Sequence, residues 1–249
     1  MKSRHFKLKW LGLSLSAALL VLSVPRLLFR HEVASRCIRL HSDAELPRET
    51  AQVLRSAEQR LRRSPLFDTR RVFDVYLCGS RWRWQLYSGF NGAAAANARW
   101  FLFHDVIVRG ADIANNRYLQ ARGNWAPGER TLDYLLAHEI THLLAADFLG
   151  ATAYRRRPSW LVEGYADYVG RGAGFDFAAA RTSWISGKAV AGHPSGNYLG
   201  YTLLVAQLLE REGWSVQTLL LRPPDARSVV RRVRWPTAPS ASSAQPGRL

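Results

Sequence analysis

Residues 135–144 read Leu-Leu-Ala-His-Glu-Ile-Thr-His-Leu-Leu, and the rest of the chain is best read outward from them. His138 and His142 are four residues apart, so in a helix both imidazoles stand on one face, one turn from each other. Two ring nitrogens so placed can grip a single Zn²⁺, with Glu139 beside the metal's open position. Leu132, Leu135, Leu136, Ile140, Leu143, Leu144, Phe148 and Leu149 spread apolar side chains round most of the circumference. A helix apolar on nearly all sides lies inside a domain. Histidines and a glutamate buried there need something to compensate them. Thr131, just before the run, is placed to cap it.

The third ligand comes from residues 158–169, Pro-Ser-Trp-Leu-Val-Glu-Gly-Tyr-Ala-Asp-Tyr-Val. Pro158 and Ser159 predict a helix start, with Ser159 as its cap. On that helix Glu163 and Asp167 are again four apart and share a face. Two stacked acids among Trp160, Leu161, Tyr165, Tyr168 and Val169 repel each other and resist burial unless a cation or donor meets them. A Zn²⁺ on His138 and His142 meets Glu163. The outward N–H of a ligating imidazole meets Asp167, which fixes its tautomer. Gly164 and Ala166 are small and allow a close approach to a neighbouring helix.

With both motifs in hand, the chain resembles the gluzincin metallopeptidases. His138-Glu139-x-x-His142 is followed, twenty residues later, by Glu163-x-x-x-Asp167, and the form Trp160 to Tyr168 looks like the peptidase MA-like branch. No further histidine follows at the spacing that would mark the metzincins. The resemblance spans roughly residues 131–221. It implies a peptide or protein substrate, Zn²⁺ as cofactor, His138, His142 and Glu163 as ligands, and Glu139 as general base. It also implies an oxyanion-holding tyrosine at the start of a C-terminal helix. Tyr198 best matches that position, Tyr201 is the reserve, and His193 is a weaker donor. A non-catalytic zinc-containing interaction module anchored at the membrane is the alternative, and the intact Glu139 weighs against it.

Outside this centre, the 249 residues are globular in composition, 47% hydrophobic with nine tryptophans. The net charge of +16 is concentrated at the ends. Residues 1–30 carry Lys2, Arg4, Lys7, Lys9, Arg26 and Arg30 and no acid. Residues 222–249 carry six arginines against Asp225. No nucleic-acid-binding motif accompanies the charge, so no nucleic-acid partner is expected. A basic end beside an apolar run suits an anionic membrane surface better. Trp10 to Val24 is that run, fifteen residues long and preceded by cations. It reads as an export signal or, without a clear cleavage site, as a signal anchor. The peptidase domain then lies outside the cytoplasm, membrane-anchored if the segment is kept and secreted if it is cut.

Three regions are therefore expected: a signal or anchor over residues 1–30, one α+β gluzincin-like domain over 31–221, and a disordered basic tail over 222–249. Within the domain a small mixed sheet precedes a helical C-terminal part. Arg36–His41, Pro47–Arg63 and Arg71–Cys78 predict a β-α-β unit with parallel strands. Cys37 and Cys78, one on each strand of an exported chain, suggest a disulfide, with two buried thiols as the other reading. Trp82–Tyr87 is expected as a further strand, and residues 88–98 as loop or hairpin tip. Trp100–Arg109 is expected as the strand at the sheet edge, where the gluzincin resemblance implies that extended substrate adds on. Gly196–Gly213 predicts a long amphipathic helix.

Overall fold

Alternating side chains over β2 (Ile38–Ser42) and β3 (Phe73–Leu77) give two strands that pair in parallel, Ile38 opposite Phe73 and Ser42 opposite Leu77. In the computed structural model, which describes residues 21–89, 92–128, 130–187 and 198–234, helix α1 (Thr50–Leu61) joins them as expected. The sheet has five strands in the order β1-β2-β3-β5-β4. β1 (His31–Ala34) runs antiparallel to β2, β5 (Asp105–Val108) is parallel to β3, and β4 (Ala96–Ala98) is antiparallel to β5. The fold is α+β, a mixed sheet followed by a helical C-terminal part.

Three expectations fail here for local reasons. Residues 81–88 form a helix, α2 (Arg81–Ser88), instead of a strand. The alternation of Trp82, Trp84 and Leu86 imitates period two, but Trp84, Tyr87 and Ser88 are the buried set, and that spacing belongs to a helix. Gly89 closes it at φ 64°. The apolar run 100–109 is a strand only from Asp105 onward, because His104 sits at φ 54° and the backbone turns there. Its position also differs from expectation. β5 is flanked on both sides, and the edge belongs to β4, within residues read as loop.

The third failure concerns the cysteines. Parallel pairing puts Cys37 just before β2 and Cys78 just after β3, at opposite ends of the two strands. Five or more residues of extended chain separate them, roughly 17–20 Å. A disulfide needs Cα atoms within about 7 Å. Both are buried free thiols. Burial pushes the Cys78 thiol up to about 12, so it stays protonated and unreactive.

Register partners His41, Tyr76 and Ile107 share one face of the sheet. Tyr76, Cys78 and Ile107 pack there with Trp84 and Tyr87 of α2 and with Phe29, whose ring lies 5.2 Å from Tyr76 and 5.7 Å from Tyr87. Leu40, Val75 and Val106 point to the other face. That face is left to α1 and α3 (Leu132–Leu149), which pack on each other, while α3 also lies against β4 and β5. A small hairpin, β6 (Ala111–Asp112) with β7 (Arg117–Tyr118), precedes α3.

The chain divides into two compact units, Met1–Arg156 with Val169–Ala173, and Arg157–Tyr168 with Gly174–Leu249. The second contains most of α5 (Ser159–Arg171), then α6 (Phe177–Ile185), α7 (Tyr198–Ala206), α8 (Val216–Leu221) and α9 (Ala226–Arg234). The expected long helix is α7, continued by a wider-wound turn over Gln207–Arg211 and ended before Gly213 at φ 70°. α5 and α7 touch through Gly164: a Cβ there would lie 2.6 Å from the carbonyl oxygen of Tyr201.

The stretch from Arg222 is not structureless over Ala226–Arg234. Val229 and Val233, four apart, are buried, and the arginines between them form the other face. That i,i+4 pair was hidden by the surrounding Pro, Ser and Arg. Among the described residues no helix is long and apolar enough to cross a membrane. Most of the Trp10–Val24 run lies outside the described residues.

Candidate metal centre

The helix carrying the paired histidines is buried along nearly its whole length, from Leu132 to Ala146. Its start is fixed by a neighbour, where Thr131 was expected. Asn116, at φ 50° in the hairpin, accepts from the Leu132 amide with its carbonyl (2.9 Å) and from the Asp133 amide with Oδ1 (3.1 Å). Thr131 caps no amide with its side chain, and its hydroxyl donates to Asp133 instead.

Asp133 is 1% exposed and gathers the donors around it. Ser56 Oγ (2.5 Å) and Arg60 Nε (2.7 Å) reach it from α1, and Asn116 Nδ2 (2.9 Å) from the hairpin. Burial alone would raise its pKa. The bonds from Ser56, Thr131 and Arg60 outweigh burial and hold it down at about 2. This buried charge pins α1 to the base of the histidine helix.

One turn and a half along, the imidazoles meet. Their Nε2 atoms are 3.2 Å apart, with the rings nearly perpendicular at 84°. Two imidazolium rings cannot face each other with N–H groups at that separation. The pair shares one proton or one cation between its nitrogens. Nδ1 of His142 lies 2.7 Å from the hydroxyl of Tyr154, on the short helix α4 (Ala151–Arg155). Trp100 packs edge-on against Tyr154, with centroids 4.9 Å apart. A bond that occupies Nδ1 leaves Nε2 as the nitrogen free to hold a metal, the arrangement that outer partners impose on metal-bound histidines.

The potential ligand atoms of His138, His142 and Glu163 all lie within 4.8 Å of one another. A tetrahedral Zn²⁺ with bonds of about 2.0–2.1 Å sets its ligands roughly 3.3 Å apart, a spacing the two histidines already have. Two imidazoles and one carboxylate are a donor set that zinc accepts. Glu139 follows His138 on the same helix and is 9% exposed.

Asp167, one turn after Glu163, is fully buried, and the single hydroxyl proton of Thr202 is shared between its carboxylate and the Tyr198 carbonyl (2.9 Å). Tyr198 is the first residue of α7, and both it and Tyr201 are half-buried. His193 lies outside the described residues. His104, on the strand predicted for the edge, bonds to Asp147 through Nδ1 at 3.2 Å.

Sequence reasoning missed Tyr154, Asn116 and Asp133. Tyr154 was an isolated aromatic in a connection rich in arginine, and no periodicity marks a residue that acts through one hydroxyl.

No family model matches this chain, and no match was found among curated proteins or solved structures.

Proposed function

We propose that this chain is a zinc-dependent metallopeptidase of the gluzincin type. The observation that carries the reading is the convergence of donor atoms from His138, His142 and Glu163, with Glu139 next to His138 on the same helix. Zn²⁺ held there supplies Lewis acidity to a water molecule and to a peptide carbonyl. His138 and His142 bind through Nε2, and Tyr154 keeps the second ring in that tautomer. The Glu139 carboxylate takes a proton from the attacking water and returns it to the amine nitrogen of the departing product. Tyr198 is assigned to donate its phenolic O–H to the carbonyl oxygen as that oxygen gains charge. Asp167 is assigned to orient a ligating imidazole.

β4 supports a peptide substrate. Among the described residues it pairs on one side only, with β5, and it lies against α3. An extended chain can join such an edge through backbone groups alone. The basic N-terminus and the apolar run behind it support a membrane-anchored enzyme working outside the cytoplasm.

The test is Glu139→Gln, nearly isosteric but unable to accept a proton. Peptide-library hydrolysis should fall by at least ~10²-fold, as when a general base is lost, with zinc content unchanged. Equal hydrolysis by both proteins would remove Glu139 from this role. If both bind one zinc and neither cleaves any peptide, the interaction-module reading takes over.

A further inference from the structure

β2, β3 and β5 run in parallel and end on the same side of the sheet, at Ser42, Leu77 and Val108. The segments that leave them diverge toward α1, α2 and the β6–β7 hairpin and enclose a cavity of about 590 Å³. That volume falls within the roughly 300–1,000 Å³ of small-molecule sites. Crevices outside the carboxyl ends of parallel strands are where open α/β sheets bind ligands. None of the lining residues comes from α3, and none is one of the three candidate metal ligands.

The lining has an uneven charge. Arg109 stacks over the Trp84 ring, 4.8 Å from its centroid, and forms one wall. Its guanidinium donates to the carbonyls of Gly92 (2.8 Å), Ala94 (3.1 Å) and Ala121 (3.2 Å), all neutral acceptors. Arg81, also lining, is exposed and has no hydrogen bond or ion pair within the described residues. Burial and the nearby Arg81 charge both lower the pKa of Arg109, so the two cations sense each other. On the acidic side, Asp112 is already held by Asn115 and Arg117. Glu45 stands exposed on the rim. Trp84 itself is buried beneath Arg109, and the exposed ring of Trp125, with Arg117 5.2 Å from its centroid, supplies the aromatic surface.

We propose that this cavity is a second ligand site, separate from the metal centre, for a small acid: one carboxylate or phosphate on a flat apolar body. The acid group pairs with Arg81 and with the donors of Arg109 left free by the three carbonyls. The body lies along the exposed ring of Trp125 and the apolar lining of Leu46 and Leu119. Guanidinium groups suit such planar, bidentate recognition.

Binding is followed on the full chain by tryptophan fluorescence, with three probes: N-acetylphenylalanine, its uncharged amide, and phenyl phosphate. At least one acid should bind saturably at concentrations up to about 10 mM, while the amide does not. Which acid binds more tightly separates a carboxylate ligand from a phosphate ester. Arg81→Gln removes an exposed, unpaired charge and should weaken that acid about tenfold, as expected for losing one charge-assisted bond. Ala114→Trp places bulk at an exposed lining position without touching the charges and should also weaken it. Removal of metal by chelation should change nothing. The proposal is overturned if neither acid binds, if the amide binds as well as the acids, or if both variants bind like the parent.

Discussion

The hydroxyl of Tyr154 stands 2.7 Å from Nδ1 of His142, so a residue outside both motifs sets which nitrogen of that imidazole faces the ligand cluster. Trp100 braces the ring of Tyr154 from the β4–β5 turn. The geometry of the candidate metal site therefore depends on a hairpin turn as well as on its own helix.

Tyr154→Phe keeps the ring and its contact with Trp100 and deletes only the hydroxyl. Zinc affinity, measured by competition with a chromogenic chelator, should fall about 10- to 100-fold, the usual cost of removing an outer partner of a ligating histidine. Thermal stability without metal should change little. Unchanged zinc affinity would show that the hydroxyl has no part in orienting the ring.

Glu163→Ala should leave two nitrogen ligands, too few for tight zinc. Elemental analysis of the purified variant should give well below one zinc per chain. A full complement would mean that another group completes the site.

Asp133 predicts acid sensitivity. Its folded pKa, about 2, lies below the ordinary 3.8, so its contribution is fully present above pH ~4 and is lost as pH falls toward ~2. The size is about 2 kcal/mol from the shift alone. Denaturant titrations across that range should show the loss, and Asp133→Asn should flatten this part of the pH profile. An unaltered slope in the variant would assign the acid transition to other carboxylates.

Gly164→Ala brings a methyl group to 2.6 Å from a backbone oxygen of α7. Backbone cannot rotate away as a side chain can, so destabilisation of about 1–3 kcal/mol is expected from overpacking. Chemical denaturation measures it, and a neutral result would mean that the two helices separate easily.

Cys37 and Cys78 should both resist alkylation in the native protein. Both should be labelled in denaturant without reductant, since each is a buried free thiol. Mass spectrometry distinguishes this from a bonded pair, which would stay unlabelled in denaturant.

The parts legible in the sequence were those with a period or a fixed spacing. The β2-α1-β3 unit and the helices of the histidines and Glu163 fall where their apolar patterns put them. Illegible parts depended on one backbone angle or one distant partner. Nothing in Trp100–Arg109 announces that His104 turns the chain at φ 54°. Trp82, Trp84 and Leu86 looked like one face of a strand because a six-residue window cannot separate period 2 from 3.6. Asn116 caps a helix that begins sixteen residues later, and only the folded hairpin brings them together.

Arg60 donates to the carbonyls of Gly170 (2.8 Å) and Arg171 (3.2 Å), and Arg63 to that of Gly172. These carbonyls lie in the last turn of α5 and the residue just after it, where unpaired carbonyls and the helix dipole both favour cations. The first compact unit is thus discontinuous, because Val169–Ala173 belongs to it while the residues between Arg156 and Val169 do not. During synthesis, α1 and the sheet leave the ribosome well before the segment that satisfies these arginines. A nascent chain stopped near Arg156 holds every strand of the sheet but lacks the backbone carbonyls of residues 170–172 that Arg60 and Arg63 reach in the finished protein. The order of translation therefore withholds completion of the N-terminal unit until the glutamate-bearing helix has been made.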